Sequence, residues 1–388
     1  MTQTKEPVPA AAIAVSVPDG ADDVRPDTPV TVVSTRGTLS DIEVTSADGT
    51  VLDGELSDDK TSWVSNATLA LETGYTVSGS AENAEGEKTT LASGFTTLTP
   101  RDTEAAAITP TKSMETVGVG MPIVVLFDSA PVDKAAVERR LTVNTSVPVE
   151  GSWRWMSAKQ VAWRPAEYWP SGTKVDVTAD MTGLEFANNV WGSNTDPVHF
   201  EIGRNQVSVV DITGYDMVVR RDGEVIKEIP VSNGMGVTGK YATRNGTKVI
   251  ITRENSHRMV APGQQEDDPG YYDQVVKYAM RLTWSGEFIH AAPWSVSAQG
   301  RRNVSHGCTN VSTSNAKWLM DNSLIGDPVE YINGKRQMTI DNGWGFWNVS
   351  YDEWKTGSAL YEAPAPEEAP AADEAATAAQ GVSAAAGN

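Results

Sequence analysis

Cysteine is almost missing from this 388-residue chain, and the one present is Cys308. A single thiol cannot close an internal bridge, so no disulfide framework holds the fold. That suits a reducing compartment, or an exported protein of a lineage that does without disulfides. Basic charge is also scarce. Lys and Arg number 31 against 51 Asp and Glu, a net −20, and a nucleic-acid footprint would need the opposite sign. Long apolar runs are absent: Ile123-Val124-Val125-Leu126-Phe127 falls far short of the ~20 residues of a membrane helix. The opening Met1-Thr2-Gln3-Thr4-Lys5-Glu6-Pro7 has no apolar signal core; if the protein is exported, its targeting segment is expected outside this sequence. With 39% hydrophobic and 21% charged residues, the chain can bury cores, and wholesale disorder is excluded.

What charge there is sits unevenly. Residues 1–100 hold 5 basic and 16 acidic side chains, and residues 359–388 hold five acids and no base, which leaves 101–358 with only −4. A region so near neutrality can take an anionic substrate. Residues 1–27, rich in Pro, Ala and Asp, read as a leader or linker. Short β-type runs then alternate with turn signals: Val30-Thr31-Val32-Val33, Ile42-Glu43-Val44 ahead of Asp48-Gly49, and Tyr75-Thr76-Val77. They predict an immunoglobulin-like β-sandwich over 28–100. Residues 104–203 repeat the pattern. Gly74 and Phe95 of the first unit match Gly172 and Phe200 of the second at offsets of 98 and 105 residues, so a second sandwich is expected. Its Trp153, Trp155, Trp163, Trp169 and Trp191 signal a larger core or an interface.

Strands continue from residue 204, with a hairpin cue at Asp222-Gly223. One short helix is expected over 312–319, capped by Ser312 or Ser314, with Ala316, Trp318 and Leu319 as its apolar face. The expected fold is thus mainly all-β. Two tandem sandwiches lead into a β-rich domain over 204–333, a Trp-rich C-terminal subdomain over 334–358 and a disordered Ala/Pro/Glu tail over 359–388.

Reactive residue types gather in His290-Ala291-Ala292-Pro293-Trp294 and Asn303-Val304-Ser305-His306-Gly307-Cys308-Thr309-Asn310. Two of the chain's four histidines lie within 18 residues of its only cysteine. A thiol of pKa about 8.5 is slightly ionised at neutral pH, and a neighbouring imidazole can raise the thiolate fraction. Gly307 lets the backbone come close to a ligand, with an N–H able to point at a developing oxyanion. Two plainer readings compete. One is a buried structural cysteine; the other is a zinc site on His290, His306 and Cys308, which lacks an evident fourth ligand.

His290, fourteen intervening residues and then Ser305-His306-Gly307-Cys308-Thr309-Asn310 resemble the signature of the L,D-transpeptidases, the YkuD-domain family. The likeness runs from Gly223 through Trp354. In mycobacterial and corynebacterial members, two bacterial immunoglobulin-like domains also precede the catalytic domain and a Trp-bearing subdomain follows it, the place of Trp344, Trp347 and Trp354 here. The resemblance implies Cys308 as nucleophile and His290 as its base. It implies an oxyanion hole from the backbone N–H groups of His306, Gly307 and Cys308, and Ser305 and Asn310 as holders of the loop. Tyr272, Met259 and Trp294 would line the substrate pocket under a covering loop, where Gln264-Gln265-Glu266-Asp267-Asp268 is more acidic than in relatives. Ala291 stands where relatives often carry Ser and keeps only a backbone carbonyl for His290.

The resemblance further implies peptidoglycan stem peptides as substrates, joined 3→3 between diaminopimelate residues through a Cys308 thioester. Carbapenem β-lactams would acylate the same sulfur. No metal or cofactor is implied. The protein is expected to be a monomer in the cell envelope outside the cytoplasm, touching membrane only through a signal or lipid anchor not in this sequence. Other readings stay open: an L,D-carboxypeptidase, another cysteine acyltransferase, or a non-catalytic surface protein. Sortases need a downstream Arg and a more distant His, and Arg336 is the only Arg after Cys308. Papain-like cell-wall endopeptidases place Cys before His, the reverse of this chain.

Overall fold

Alternation sets the strands. In Lys174–Asp180 the side chains of Val175, Val177 and Ala179 are buried while Lys174, Asp176 and Asp180 face solvent, the two-residue period of a half-buried sheet. The structure, a computed structural model, describes residues 9–261, 263–268 and 271–363. Its first sandwich pairs a sheet ordered Ala12–Val15, Thr31–Thr35, Ser62–Ser65, Gly54–Leu56 with one ordered Ala21–Val24, Lys88–Thr97, Gly74–Glu82, Thr38–Ser46. The second repeats that order strand for strand. One sheet runs Ala107–Thr109, Ile123–Leu126, Gln160–Pro165, Gly151–Trp155, and the other Thr116–Val117, Asn194–Ile202, Lys174–Asp180, Leu141–Thr145. Each unit has a parallel pair at the same place, and the second adds another between Asp102–Glu104 and Val190–Gly192.

The repeat reaches down to side chains. Phe95 lies opposite Tyr75 and Phe200 opposite Val175. In each unit a strand glycine lies against an indole at the same register. A Cβ on Gly54 would fall 2.1 Å from Trp63 Cζ2, and one on Gly151 1.9 Å from Trp163 Cζ2.

Of the leader expected over 1–27, residues 1–8 lie outside the described residues and the rest needs correcting. Ala12–Val15 and Ala21–Val24 are edge strands of the first sandwich, and Ala11 and Val17 are buried in its core. These strands are only four residues long, and Ala21–Val24 carries two Asp, so their stability comes from partner backbone rather than local propensity. The helix Lys134–Arg139, capped by Asp133, is a further element that hydrophobic periodicity did not mark. Of the tail expected to be disordered, residues 364–388 lie outside the described residues.

Two sheets form the unit that follows. A five-stranded one runs Glu224–Pro230, Asp216–Arg221, Gln206–Asp211, Pro328–Ile332, Gly246–Val249, and a four-stranded one Thr252–Val260, Asp273–Arg281, Phe288–Ala291, Thr309–Val311. Asp222 and Gly223, both at positive φ (51° and 87°), turn the hairpin that their sequence predicted. The helix runs Thr313–Asn322, one turn longer than expected, with Ser312 accepting from Asn315 N–H at 3.2 Å and Ala316, Leu319 and Met320 buried.

The first sandwich has its own core. The second shares one core with the C-terminal segment, in which Trp344, Phe346 and Trp354 pack with Trp153, Trp163 and Trp169. Along this seam Trp354 Nε1 donates to Ser152 O (2.8 Å), Trp347 Nε1 to Gly120 O (3.0 Å) and Arg164 Nη2 to Val349 O (3.0 Å). Buried Arg164 lies 4.9–5.6 Å from the rings of Trp347, Trp354 and Tyr351. Contacts between the two sandwiches include Arg25 to Glu185 at 3.0 Å, Arg140 to Thr68 at 3.3 Å, Asn189 to the Thr99 carbonyl at 3.3 Å, and the Arg25 guanidinium 4.8 Å over the ring of buried Trp191.

Candidate active site

Two parallel strands carry the reactive residues. Phe288–Ala291 pairs with Thr309–Val311 in a register that sets His290 beside Asn310 and Ala291 beside Val311. Cys308, one residue before its strand, therefore lies diagonally across from His290 on the same face. His290 is buried, and its Nδ1 lies 3.0 Å from the Ala291 carbonyl. That bond places the ring proton on Nδ1 and leaves Nε2 as the acceptor.

The loop before Cys308 is held from several sides. Ser305 Oγ donates to the Cys308 carbonyl (2.5 Å) and accepts from Gly307 N–H (3.1 Å). Thr243 Oγ1 donates to the Gly307 carbonyl (2.8 Å), while Asn233 and Met235 bond the Ser305 backbone. Gly307 itself sits at φ +131°, which other residues rarely adopt. Asn310 Nδ2 donates to Ser295 Oγ (3.2 Å) and so ties the strand to the turn that presents Trp294. Trp294 is exposed, its ring 6.1 Å from that of His290. Met259 is buried with Val276, Ala279 and Phe288, and Tyr272 and Cys308 pack on that cluster.

Two cavities meet at Cys308. The larger, about 620 Å³, runs past Gly286, Trp284 and Arg281; the smaller, about 140 Å³, runs past His290, Trp294 and Asn310. Met259, Tyr272, His306 and Cys308 line both. His306 stands between Tyr272, stacked at 5.2 Å, and Tyr241, edge-on at 4.6 Å. All ten residues singled out by sequence thus fall in this neighbourhood, Ala291 and Gly307 through their backbone. His257 lines the larger cavity with Nδ1 2.8 Å from Glu254 Oε2, whereas His199 is exposed beside Asp176 on the second sandwich.

Sequence reasoning missed the charged floor. Buried Glu287 lies between Lys248 (2.5 Å) and Arg244 (2.6 Å), and the Lys248 ammonium sits 3.5 Å over the Tyr331 ring. Burial pushes Glu287 up, but Lys248 and Arg244 prevail and hold it below the usual carboxylate value. Glu287 is about forty residues from Arg244 and Lys248 in the chain, and no local motif marks them. Among the described residues, no three His, Cys, Asp or Glu side chains gather into a set that could hold a metal ion.

Burial pushes the Cys308 thiol up to about 12, against the pull of the Phe288 backbone N–H, Lys248 and Arg281. Burial also holds His290 below its ordinary value, more strongly than its bond to Ala291 raises it. The pair rests as neutral thiol beside neutral imidazole, the reverse of the enhanced thiolate that proximity alone suggests. At rest the thiol donates to the Gly286 carbonyl at 3.6 Å.

A family model described as the L,D-transpeptidase catalytic domain matches residues 205–330, and one described as a bacterial Ig domain matches residues 21–185. L,D-transpeptidase 5 of Mycobacterium tuberculosis is 38% identical over 92% of this chain and 79% of its own length. L,D-transpeptidase 2 of that species is 35% identical over 89% and 85%. A solved structure of an LD transpeptidase in complex with imipenem is 33% identical, with a TM-score of 0.51, and covers 60% of this chain and 100% of that one.

Proposed function

Because this chain belongs to the L,D-transpeptidase family, we propose that it crosslinks peptidoglycan stem peptides through an acyl-enzyme on Cys308. The observation that carries the reading is the meeting of two cavities at one sulfur, with His290 lining the smaller. A transferase of two substrates needs two approaches to its nucleophile; a structural cysteine needs none.

In the proposed cycle Sγ turns from Gly286 toward His290, whose Nε2 takes the thiol proton as sulfur attacks the carbonyl before the terminal D-Ala of a tetrapeptide stem. Since the pair is neutral at rest, proton transfer accompanies attack. The backbone N–H groups of His306 and Cys308 meet the oxyanion; Gly307 N–H, the third expected donor, is engaged by Ser305 Oγ. Collapse breaks the C–N bond, His290 returns the proton to the departing D-Ala amine, and a thioester remains. The neutral side-chain amine of a second stem's diaminopimelate then attacks, passes a proton to His290 and expels the sulfur, which takes that proton back. The product is a 3→3 crosslink, made by two easier acyl transfers in place of one hard one. A carbapenem enters the same chemistry at its strained lactam carbonyl. On this reading the enzyme works as a monomer outside the cytoplasm, in the cell envelope.

Mass spectrometry of the full chain with a tetrapeptide stem tests it. A dimer lighter by one D-Ala per link is expected. Tripeptide alone would mean a carboxypeptidase, and an unchanged substrate would overturn the enzyme reading.

A further inference from the structure

The larger cavity carries a charge opposite to that of the chain. In a protein of net −20, its wall includes Lys240, Arg244, Arg258, Arg281 and Arg336 against one carboxylate, Glu287. Glu287 is taken up by Arg244 and Lys248, and Arg258 by Asp273 at 2.6 Å. The other three hydrogen-bond or stack only with neutral groups, though Arg336 also feels the charge of Glu287. Arg281 Nη1 donates to the Thr283 carbonyl at 3.3 Å, with its guanidinium 4.3 Å over Phe288. Arg336 Nη1 donates to the carbonyls of Lys240 and Ala242 at 3.0 and 3.1 Å. The Lys240 ammonium lies 4.7 Å from the Tyr241 ring. Among the described residues no carboxylate pairs with any of these three. A guanidinium anchored through one nitrogen keeps its other N–H groups for a ligand, and a planar carboxylate is what that fork fits.

The two cavities also divide the reaction. His290, which must give and take the amine protons, lines only the smaller. Amines therefore leave and arrive there, and the peptide that carries the acyl group takes the larger, basic side.

We propose that Lys240, Arg281 and Arg336 make the larger cavity a carboxylate-reading subsite for the peptide that acylates Cys308. The inference rests on the stem-peptide reading above. Of the free carboxylates of a tetrapeptide stem, those on its glutamyl and diaminopimelyl residues stay with the acyl group, while the C-terminal one departs with D-Ala and serves as the control. Raised positive potential in a low-dielectric cleft concentrates such chains and orients them.

Calorimetric binding to the full-length Cys308→Ala protein tests this without turnover. The free-acid stem is compared with analogues in which each carboxylate in turn is capped as a carboxamide. The glutamyl or the diaminopimelyl amide should bind about tenfold more weakly, the loss expected for a charge-assisted contact, and the weaker of them identifies the carboxylate held. The gap should shrink in Arg281→Gln and in Lys240→Gln, the latter an exposed position where the fold is not at stake. Added salt should shrink it too. Equal affinity for the acid and every amide, or no binding of either, would overturn the subsite. Crosslinking by the unaltered chain is scored separately. Binding of the acid without transfer would remove the stem-crosslinking reading and leave the subsite standing, whereas transfer indifferent to amidation would do the reverse.

Discussion

His290 and Cys308 are each shaped by burial, and their pH behaviour follows from its sign. The reactive form of His290 is neutral, and burial holds its proton affinity below the ordinary 6.5. Neutral base is therefore present down to that depressed value and is lost as pH falls through it. Acylation by a carbapenem, followed by mass, should stay level through pH 6.5 and decline only in more acid solution. In His290→Gln the rate at neutral pH should drop by about 10²–10⁴-fold. It should then climb with alkali toward the thiol's own value of about 12. His306→Ala keeps its backbone N–H and loses the ring between Tyr241 and Tyr272, so its defect should show no alkaline rescue. The reverse pattern would mean the two histidines are assigned the wrong way round. Cys308→Ala should form no adduct at all. Beneath them, Glu287→Gln leaves Lys248 buried without its partner; denaturant unfolding should show a loss of about 3–5 kcal/mol.

At the scale of elements, the two glycine–indole contacts make a sharp test. A methyl on Gly151 would overlap Trp163 and force strand Gly151–Trp155 from its neighbour. Gly151→Ala should destabilise by about 1–3 kcal/mol, the cost of overpacking, read as a lowered melting point. Ser312→Ala removes an N-cap and should cost about 1 kcal/mol. Elements also show what a reader of the sequence can see. The strands around Val32, Val77 and Val175 were legible because alternation is a local signal, as was the hairpin at Asp222-Gly223. His290 and Cys308 were legible because their strands are adjacent and their spacing is short. Ala12–Val15 and Ala21–Val24 were not, since their partners lie as far as 74 residues away (Ala21 to Phe95) and supply the stability. The Lys248–Glu287–Arg244 floor and the spare cations at Arg281 and Arg336 were hidden for the same reason. Each comes from a different strand or loop, and only folding brings them together. The engagement of Gly307 N–H by Ser305 Oγ was equally invisible, because it depends on a rotamer.

Across the whole molecule, the shared core binds the second sandwich to the catalytic unit, while the first sandwich stands on its own core. A chain beginning at residue 101 retains the strand Asp102–Glu104 that pairs with Val190–Gly192 and should keep its chemistry on soluble stems. One beginning at residue 204 exposes Trp344, Trp347 and Trp354 and strips Arg154 and Arg164 from their carbonyl and ring partners. It should melt markedly lower or fail to fold; unchanged melting would refute the coupling. The seam between the sandwiches has a mechanical consequence. Tension applied to the two ends of the chain loads its joints in series, and the contacts around Arg25, Thr68 and Asn189 belong to neither sandwich's hydrophobic core. Those contacts can part while both hydrophobic cores stay closed, so the two sandwiches can separate without opening the core that the second one shares with the catalytic unit.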